Sequence, residues 1–242
     1  MPSCITEVYD LLKAAKLHAS DFLAVAAYQI AAQAEPSDFD NIVARTRGFY
    51  DGMKERHFFY TGQDDYIFAA MLGLSDLDVA PGAENIERIY TRFKDEFWSS
   101  NSVQTLAQVL ALGNADDYVI GRVLALRDAL REQKIKLDKT YTLPLLGILA
   151  LMPVEIDTIV HDLDAARDVL RTKKGFGQMS VSTQELLIFA ASITAGGYVE
   201  NIKDGVLTAA ISTSISNIII AQHAAMVAAV SASTAAAAAA SS

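Results

Sequence analysis

Asp65-Tyr66-Ile67-Phe68-Ala69-Ala70-Met71-Leu72-Gly73-Leu74, with Ile89-Tyr90-Thr91-Arg92-Phe93-Lys94 downstream, decides how the chain is read. The two stretches read as one helical hairpin, and the rest of the chain reads as variations on it. Placing Leu74 under Leu112 lays residues 68–74 over 106–112, and 145–151 follow in the same register. Looser copies lie at 24–30 and 187–193. The landmarks Ile30, Leu74, Leu112, Leu151 and Ile193 are 44, 38, 39 and 42 residues apart by subtraction. A second set, Met53-Lys54, Phe93-Lys94, Leu130-Arg131 and Leu170-Arg171, recurs between them at 40, 37 and 40. Five residues after the first three come Phe58, Trp98 and Ile135, and the fourth slips by one to Phe176. Two sets of landmarks drifting together point to five or so helix pairs of about 40 residues, the period of helical-hairpin solenoids. One hairpin cannot bury both its apolar faces alone, whereas stacked neighbours share a core.

Composition narrows the class. Of the 242 residues 52% are hydrophobic, ample for a core and incompatible with disorder over most of the chain. Twenty-nine acids against 20 bases give a net charge of −9, which argues against phosphate-backbone contact and hence against nucleic acid. The single cysteine, Cys4, precludes an internal disulfide and fits a reducing compartment. No basic region precedes an early apolar run, so a secretory signal is not expected.

Along the chain, residues 5–16 carry helical spacing at Ile5, Val8, Leu11 and Leu12. Ser20-Asp21 caps a second helix through Ala34. Pro36-Ser37-Asp38 stops it and starts the next, with Ile42, Val43, Phe49, Tyr50 and Met53 as its stripe. Thr61-Gly62-Gln63, Pro81-Gly82, Ser100-Asn101-Ser102 and Gly113-Asn114 read as breaks. Pro144 suits the first turn of a helix to about Leu151, and Pro153 can begin one running to about Lys174. Ser182 opens a helix that Gly196-Gly197 is expected to end. No sustained period-2 alternation occurs, so no sheet is expected. From Gly205 to Ser242 there is no Asp, Glu, Lys or Arg, and Ile211, Ile215, Ile219, Met226 and Val230 recur at near-helical spacing. A charge-free helix is buried, self-associated or membrane-inserted. Asn217, Gln222 and His223 interrupt it, which favours burial over a span of about 20 apolar residues.

Residues 60–75, Tyr141-Thr142-Leu143-Pro144-Leu145-Leu146-Gly147, Lys174-Gly175-Phe176-Gly177 and residues 218–233 resemble an uncharacterised bacterial family known only as a domain of unknown function. The resemblance covers nearly the whole chain and implies an all-helical fold. Such members often carry an additional N-terminal segment, so the resemblance implies a shorter version here. It assigns no catalytic or binding residue.

Each polar constellation has a plain alternative. Asp157, His161 and Asp164 share a helix face, but a metal needs three or four convergent ligands and no second His or Cys supports them. A solvated face is the expectation. Asp76-x-Asp78 with Glu87 fails as a calcium loop, because Ala80 takes a ligand position and Pro81 the glycine position. Asp64-Asp65 and Asp116-Asp117 stand at helix starts, where they favour the dipole and cap. The basic run 171–174 with Gly175-Phe176-Gly177 reads as a helix C-terminus closed by glycine rather than an anion loop. Cys4, His18 and His57 are isolated, and His223 reads as a hydrogen-bonded core residue.

The sequence therefore predicts an all-α protein: tandem helical hairpins stacked as a short α-solenoid over residues 1–204. A charge-free apolar Ala/Ile/Ser-rich helix and tail over 205–242 is expected to pack on the same domain. The function expected is non-enzymatic protein–protein interaction or self-association in the cytoplasm, without nucleic acid. No catalytic, cofactor-binding or metal residue is assigned, and no cofactor is expected. Two alternatives stand beside it: an enzyme or small-ligand binder with a pocket between repeats, and a peripheral membrane protein anchored by the C-terminal helix.

Overall fold

A computed structural model describes residues 2–202 apart from Thr140, Gln178 and Met179. The expected closing helix over 205–242, His223 included, lies outside the described residues. Those residues form ten α-helices and one 3-10 turn, with no strand, so the all-α expectation holds. The helices are α1 (Pro2–Ala14), α2 (Asp21–Gln33), α3 (Phe39–Arg56), α4 (Asp65–Leu74), α5 (Val79–Phe93), α6 (Ser100–Leu112), α7 (Asp117–Glu132), α8 (Leu143–Leu151), α9 (Ile156–Arg171) and α10 (Thr183–Ile202). The 3-10 turn, Pro36–Asp38, precedes α3.

Ile30, Leu74, Leu112, Leu151 and Ile193 fall in α2, α4, α6, α8 and α10. Met53 and Phe93, Leu130 and Leu170 fall in α3 and α5, α7 and α9. Apolar helices thus alternate with amphipathic ones.

The chain divides into two compact units between Glu87 and Arg88. In the first, every residue of α4 from Asp65 to Gly73 is buried, as a helix without a polar face must be. It packs against α2 and α3, and α2 packs against α1. α3 turns Phe39, Val43, Thr46, Phe49, Tyr50 and Met53 inward. Gly73 is the point of closest approach: a Cβ there would stand 2.4 Å from Thr46 Oγ1, 2.9 Å from Thr46 N and 3.0 Å from Ile42 O. Arg45 of α3 crosses the C-terminal end of α4 and donates to the carbonyls of Gly73 (2.8 Å), Ser75 (2.6 Å) and Leu77 (2.7 Å). Those carbonyls have no intrahelical partner, and the guanidinium satisfies them while complementing the negative end of the dipole. Arg47 does the same for Ala15 and Lys16 after α1, where Lys16 is left-handed (φ 65°).

In the second unit α6 packs on α8, α7 on α8 and α9, and α9 on α10. α8 is buried from Leu143 to Ala150, with Pro144 in its first turn as expected. A Cβ on Gly147 would stand 2.5 Å from Leu106 Cδ1. Arg122 of α7 donates to Met152 O (3.2 Å) and to Val154 O. These acceptors lie 30 and 32 residues beyond Arg122. Arg45 reaches Ser75 and Leu77 over the same 30 and 32 residues. In register with Leu74 and Leu151, the two arginines occupy one position and grip the same two carbonyls.

Four boundaries differ from the sequence reading. Pro81 and Gly82 lie inside α5: a proline in the first turn loses only an orphan N–H, and Gly82 faces the Phe49 ring, 2.7 Å from where its Cβ would be. Ser100 to Ser102 form the first turn of α6, capped by Ser99, whose hydroxyl accepts from Ser102 N. Arg122 holds the turn after α8, so α9 starts at Ile156 rather than Pro153. α10 runs through Gly196-Gly197, its inner face held by buried Ala190, Ala191 and Ala195 and by Tyr198, which donates to Asp162 of α9 at 2.8 Å. Its start is as expected: Ser182 and Glu185 bond each other reciprocally as a capping box.

Candidate functional site

The side chains most out of keeping with a water-facing surface sit in the turns that follow α3 and α5. In the first unit Phe58 is 65% exposed and Phe59 91%, with Tyr60 half exposed after them in sequence; in the second Trp98 is 100% exposed. Isolated exposed apolar residues are ordinary, but large aromatics presented on fixed turns are the residues enriched at interfaces.

The α3–α4 turn is fixed from beneath. His57 N bonds Met53 O (2.8 Å), and the N–H groups of Tyr60 and Thr61 both reach His57 O (3.0 and 2.9 Å). Lys54 donates to Thr61 O at 2.8 Å, and Gly62 N donates to the buried carboxylate of Asp65 at 2.9 Å. The His57 ring meets Glu87 at 2.7 Å. Phe58 and Phe59 stand edge to face, centroids 5.5 Å apart, and the Lys54 ammonium lies 5.0 Å from the Phe58 centroid. The turn therefore loses little conformational freedom when something docks on its rings.

Behind it Tyr50 packs on Tyr66 at 5.0 Å between centroids. Burial, then Tyr66 and the Asp65 carboxylate, push the Tyr50 hydroxyl up to about 12. Unfolded tyrosine titrates near 10, so the fold favours the neutral phenol. This contribution is complete below pH 10 and is lost between pH 10 and 12. Tyr198 is raised in the same direction by burial and Asp162. Alkaline titration followed by helix content should show Tyr50→Phe losing less stability over that window than the parent chain.

In the second unit the turn after α5 is held through Phe97. Its ring packs 5.9 Å from Phe93 and 5.5 Å from the Arg127 guanidinium, and Arg127 pairs with Glu96 (3.0 Å) and Asp128 (2.8 Å). The Arg127 hydrogen bond holds Asp128 below the usual carboxylate range. Trp98, next in sequence, is fully exposed. A groove of about 470 Å³ lies in the same unit, lined by Arg88, Thr91, Arg92, Asp117, Ile120 and Gly121.

The residues singled out from sequence do not converge. His161 is solvent-facing and meets Asp162 at 3.1 Å, while Asp164 pairs with Arg167 at 2.6 Å. Among the described residues no group of three or more His, Cys, Asp or Glu could hold a metal. Asp76 and Asp78 are exposed in the α4–α5 turn, and Glu87 is taken up by His57. Asp116 caps α7 through Val119 N (2.9 Å), and Asp117 meets Arg88 at 3.1 Å. Asp64 makes no such capping bond, whereas Asp65 is buried and ties the preceding turn. Arg171 is spent on the carbonyls of Phe176 (3.0 Å) and Val181 (3.2 Å), with Gly175 left-handed at φ 91°. Cys4 carries a free thiol, and the backbone N–H of His18 donates to the Tyr66 hydroxyl. Sequence reasoning missed the exposure of Phe58, Phe59 and Trp98. Ile135, at the matching place, is buried, and Phe176 packs on Phe189 at 5.4 Å. No helix of the described residues is long and apolar enough to cross a membrane.

No curated protein and no solved structure matches the chain. The chain belongs to the family described as Protein of unknown function (DUF4003), whose model matches residues 3–224. The resemblance read from the sequence and this membership agree: the family is one without an assigned activity.

Proposed function

We propose that this chain is a non-enzymatic helical-repeat protein, a short α-solenoid of hairpins, whose exposed aromatic turns bind another protein. The observation that carries the interaction is the pair of turns ending α3 and α5. In repeat register Phe58 and Trp98 stand at one position, and both present rings to solvent on hydrogen-bonded or packed supports. The matching grips of Arg45 and Arg122 support the repeat. The charge-free segment 205–242 would close the stack, and the reducing setting suited to Cys4 is the cytoplasm.

Trp98 is the only tryptophan, so its emission reports on the proposed surface directly. In the isolated chain it should emit as a water-exposed indole and be fully quenched by acrylamide. In gently lysed cells that make the protein, the parent chain should elute above its own monomer mass. The Phe59→Ser, Trp98→Ser double variant should return to that mass with unchanged thermal stability. A variant that elutes with the parent would overturn the reading.

The groove lined by Arg88 and Arg92 favours a second reading, a small-ligand binder for anionic compounds. A thermal shift with small carboxylates that Arg92→Ala abolishes would support that reading over the first.

A further inference from the structure

The groove of the second unit is walled by two helix faces of matching spacing. Arg88, Thr91 and Arg92 of α5 stand at i, i+3 and i+4, and so do Asp117, Ile120 and Gly121 of α7. Residues so spaced share one side of a helix, which puts the two arginines a turn apart on one wall and Asp117 on the other. Arg88 and Asp117 meet across the groove at 3.1 Å. Ile120 alone of the six is buried, and a Cβ added at Gly121 would meet nothing within 4 Å. An apolar floor thus lies beside open space, and a volume of about 470 Å³ is that of a small-ligand site.

The charges of the lining choose the ligand. They are two guanidinium groups and one carboxylate. The side chains of the Arg88–Asp117 pair are 54% and 94% exposed, and an ion pair so open to water separates at little cost. Arg92 reaches Glu96 only at 3.7 Å, and Glu96 stands closer to Arg127, at 3.0 Å. A carboxylate brought to each arginine therefore gains charge-assisted hydrogen bonds and displaces weak ones. A ligand with nothing but carboxylates would draw Arg88 away from Asp117 and leave Asp117 facing a like charge. An ammonium on the same ligand answers it. A ligand with a single carboxylate would leave one of the two guanidinium groups out of the contact. The complement of this lining is two carboxylates and one ammonium.

We infer that the groove binds an α-amino dicarboxylate, with Arg88 and Arg92 each holding a carboxylate, Asp117 the ammonium, and Ile120 the carbons between. The inference rests on the small-ligand reading of this groove and narrows it from anionic compounds to one charge pattern.

Calorimetric titration of the full chain with glutamate, and with glutarate, which keeps both carboxylates and lacks the ammonium, tests it. Glutamate should bind, and glutarate at least about tenfold more weakly. Asp117→Asn should erase that difference, whereas Arg88→Gln should weaken both compounds. Should Asp117→Asn not fold, Asp117→Ser is read by the same ratio. Gly121→Leu fills the open space and replaces a glycine inside a helix, so it should abolish binding of both without lowering the unfolding temperature. Glutarate binding as tightly as glutamate would overturn the inference and leave the groove a site for anions at large. A preference for glutamate that survives Asp117→Asn would overturn it too, and so would binding that Gly121→Leu leaves intact. Binding of neither compound would also overturn it, and the thermal shift with small carboxylates then decides the groove reading separately.

Discussion

Arg45→Ala is expected to destabilise the protein by about 3 kcal/mol. Arg45 supplies three charge-assisted hydrogen bonds, to Gly73, Ser75 and Leu77, and removing it strands three carbonyls at and just after the end of a buried helix. Arg45→Lys should recover only part of this, because an ammonium on a flexible stem lacks the planar fork that spans them. Arg122→Ala should cost less, about 2 kcal/mol, since Arg122 grips two carbonyls and its buried Nε finds no hydrogen-bond partner among the described residues. Urea unfolding at unchanged slope measures both. If Arg122→Ala cost more than Arg45→Ala, the count of stranded carbonyls would not be what sets the loss.

Gly73→Ala is the second large effect, again about 3 kcal/mol, and it should exceed Gly147→Ala by at least about 1.5 kcal/mol. Both glycines lie in apolar helices where alanine would favour the helix by about 1 kcal/mol. They differ in what the new methyl meets. At Gly73 it meets Thr46 N and Ile42 O, main-chain atoms of α3 that move only if the helix moves. At Gly147 it meets the end of the Leu106 side chain, which can swing in its rotamer at modest cost. Chemical denaturation of both variants checks the order. Equal losses would mean that α3 shifts as easily as one leucine.

Much of the helical plan was legible because it rests on periodicity. The apolar runs at 65–74 and 143–151 allow little but burial, and the landmarks fall helix by helix where the spacing put them. The misses share a different cause. Pro81-Gly82 and Gly196-Gly197 have the composition of breaks, yet packing overrode propensity: the Phe49 ring at one, and an alanine face with the Tyr198–Asp162 bond at the other. Arg45 and Arg122 were unmarked because carbonyl capping across 30 residues involves no motif, although an arginine recurring in register was visible in principle. The exposure of Phe58 and Trp98 against the burial of Ile135 was illegible for a plainer reason. A turn residue has no periodicity to say which way it faces.

The pattern of helix packing also bears on how the chain acquires its structure. α4 packs on α2 and α3, α6 on α8, and α9 on α10, so partners are one or two elements apart in the chain. Closing such short loops costs little entropy, and chains of low contact order cross their folding barrier quickly. At a synthesis rate of roughly 5–20 residues per second, α1 to α4 have seconds to collapse before α6 leaves the ribosome. Among the described residues, assembly in order of synthesis is the kinetic counterpart of helices that pack on near neighbours in the chain.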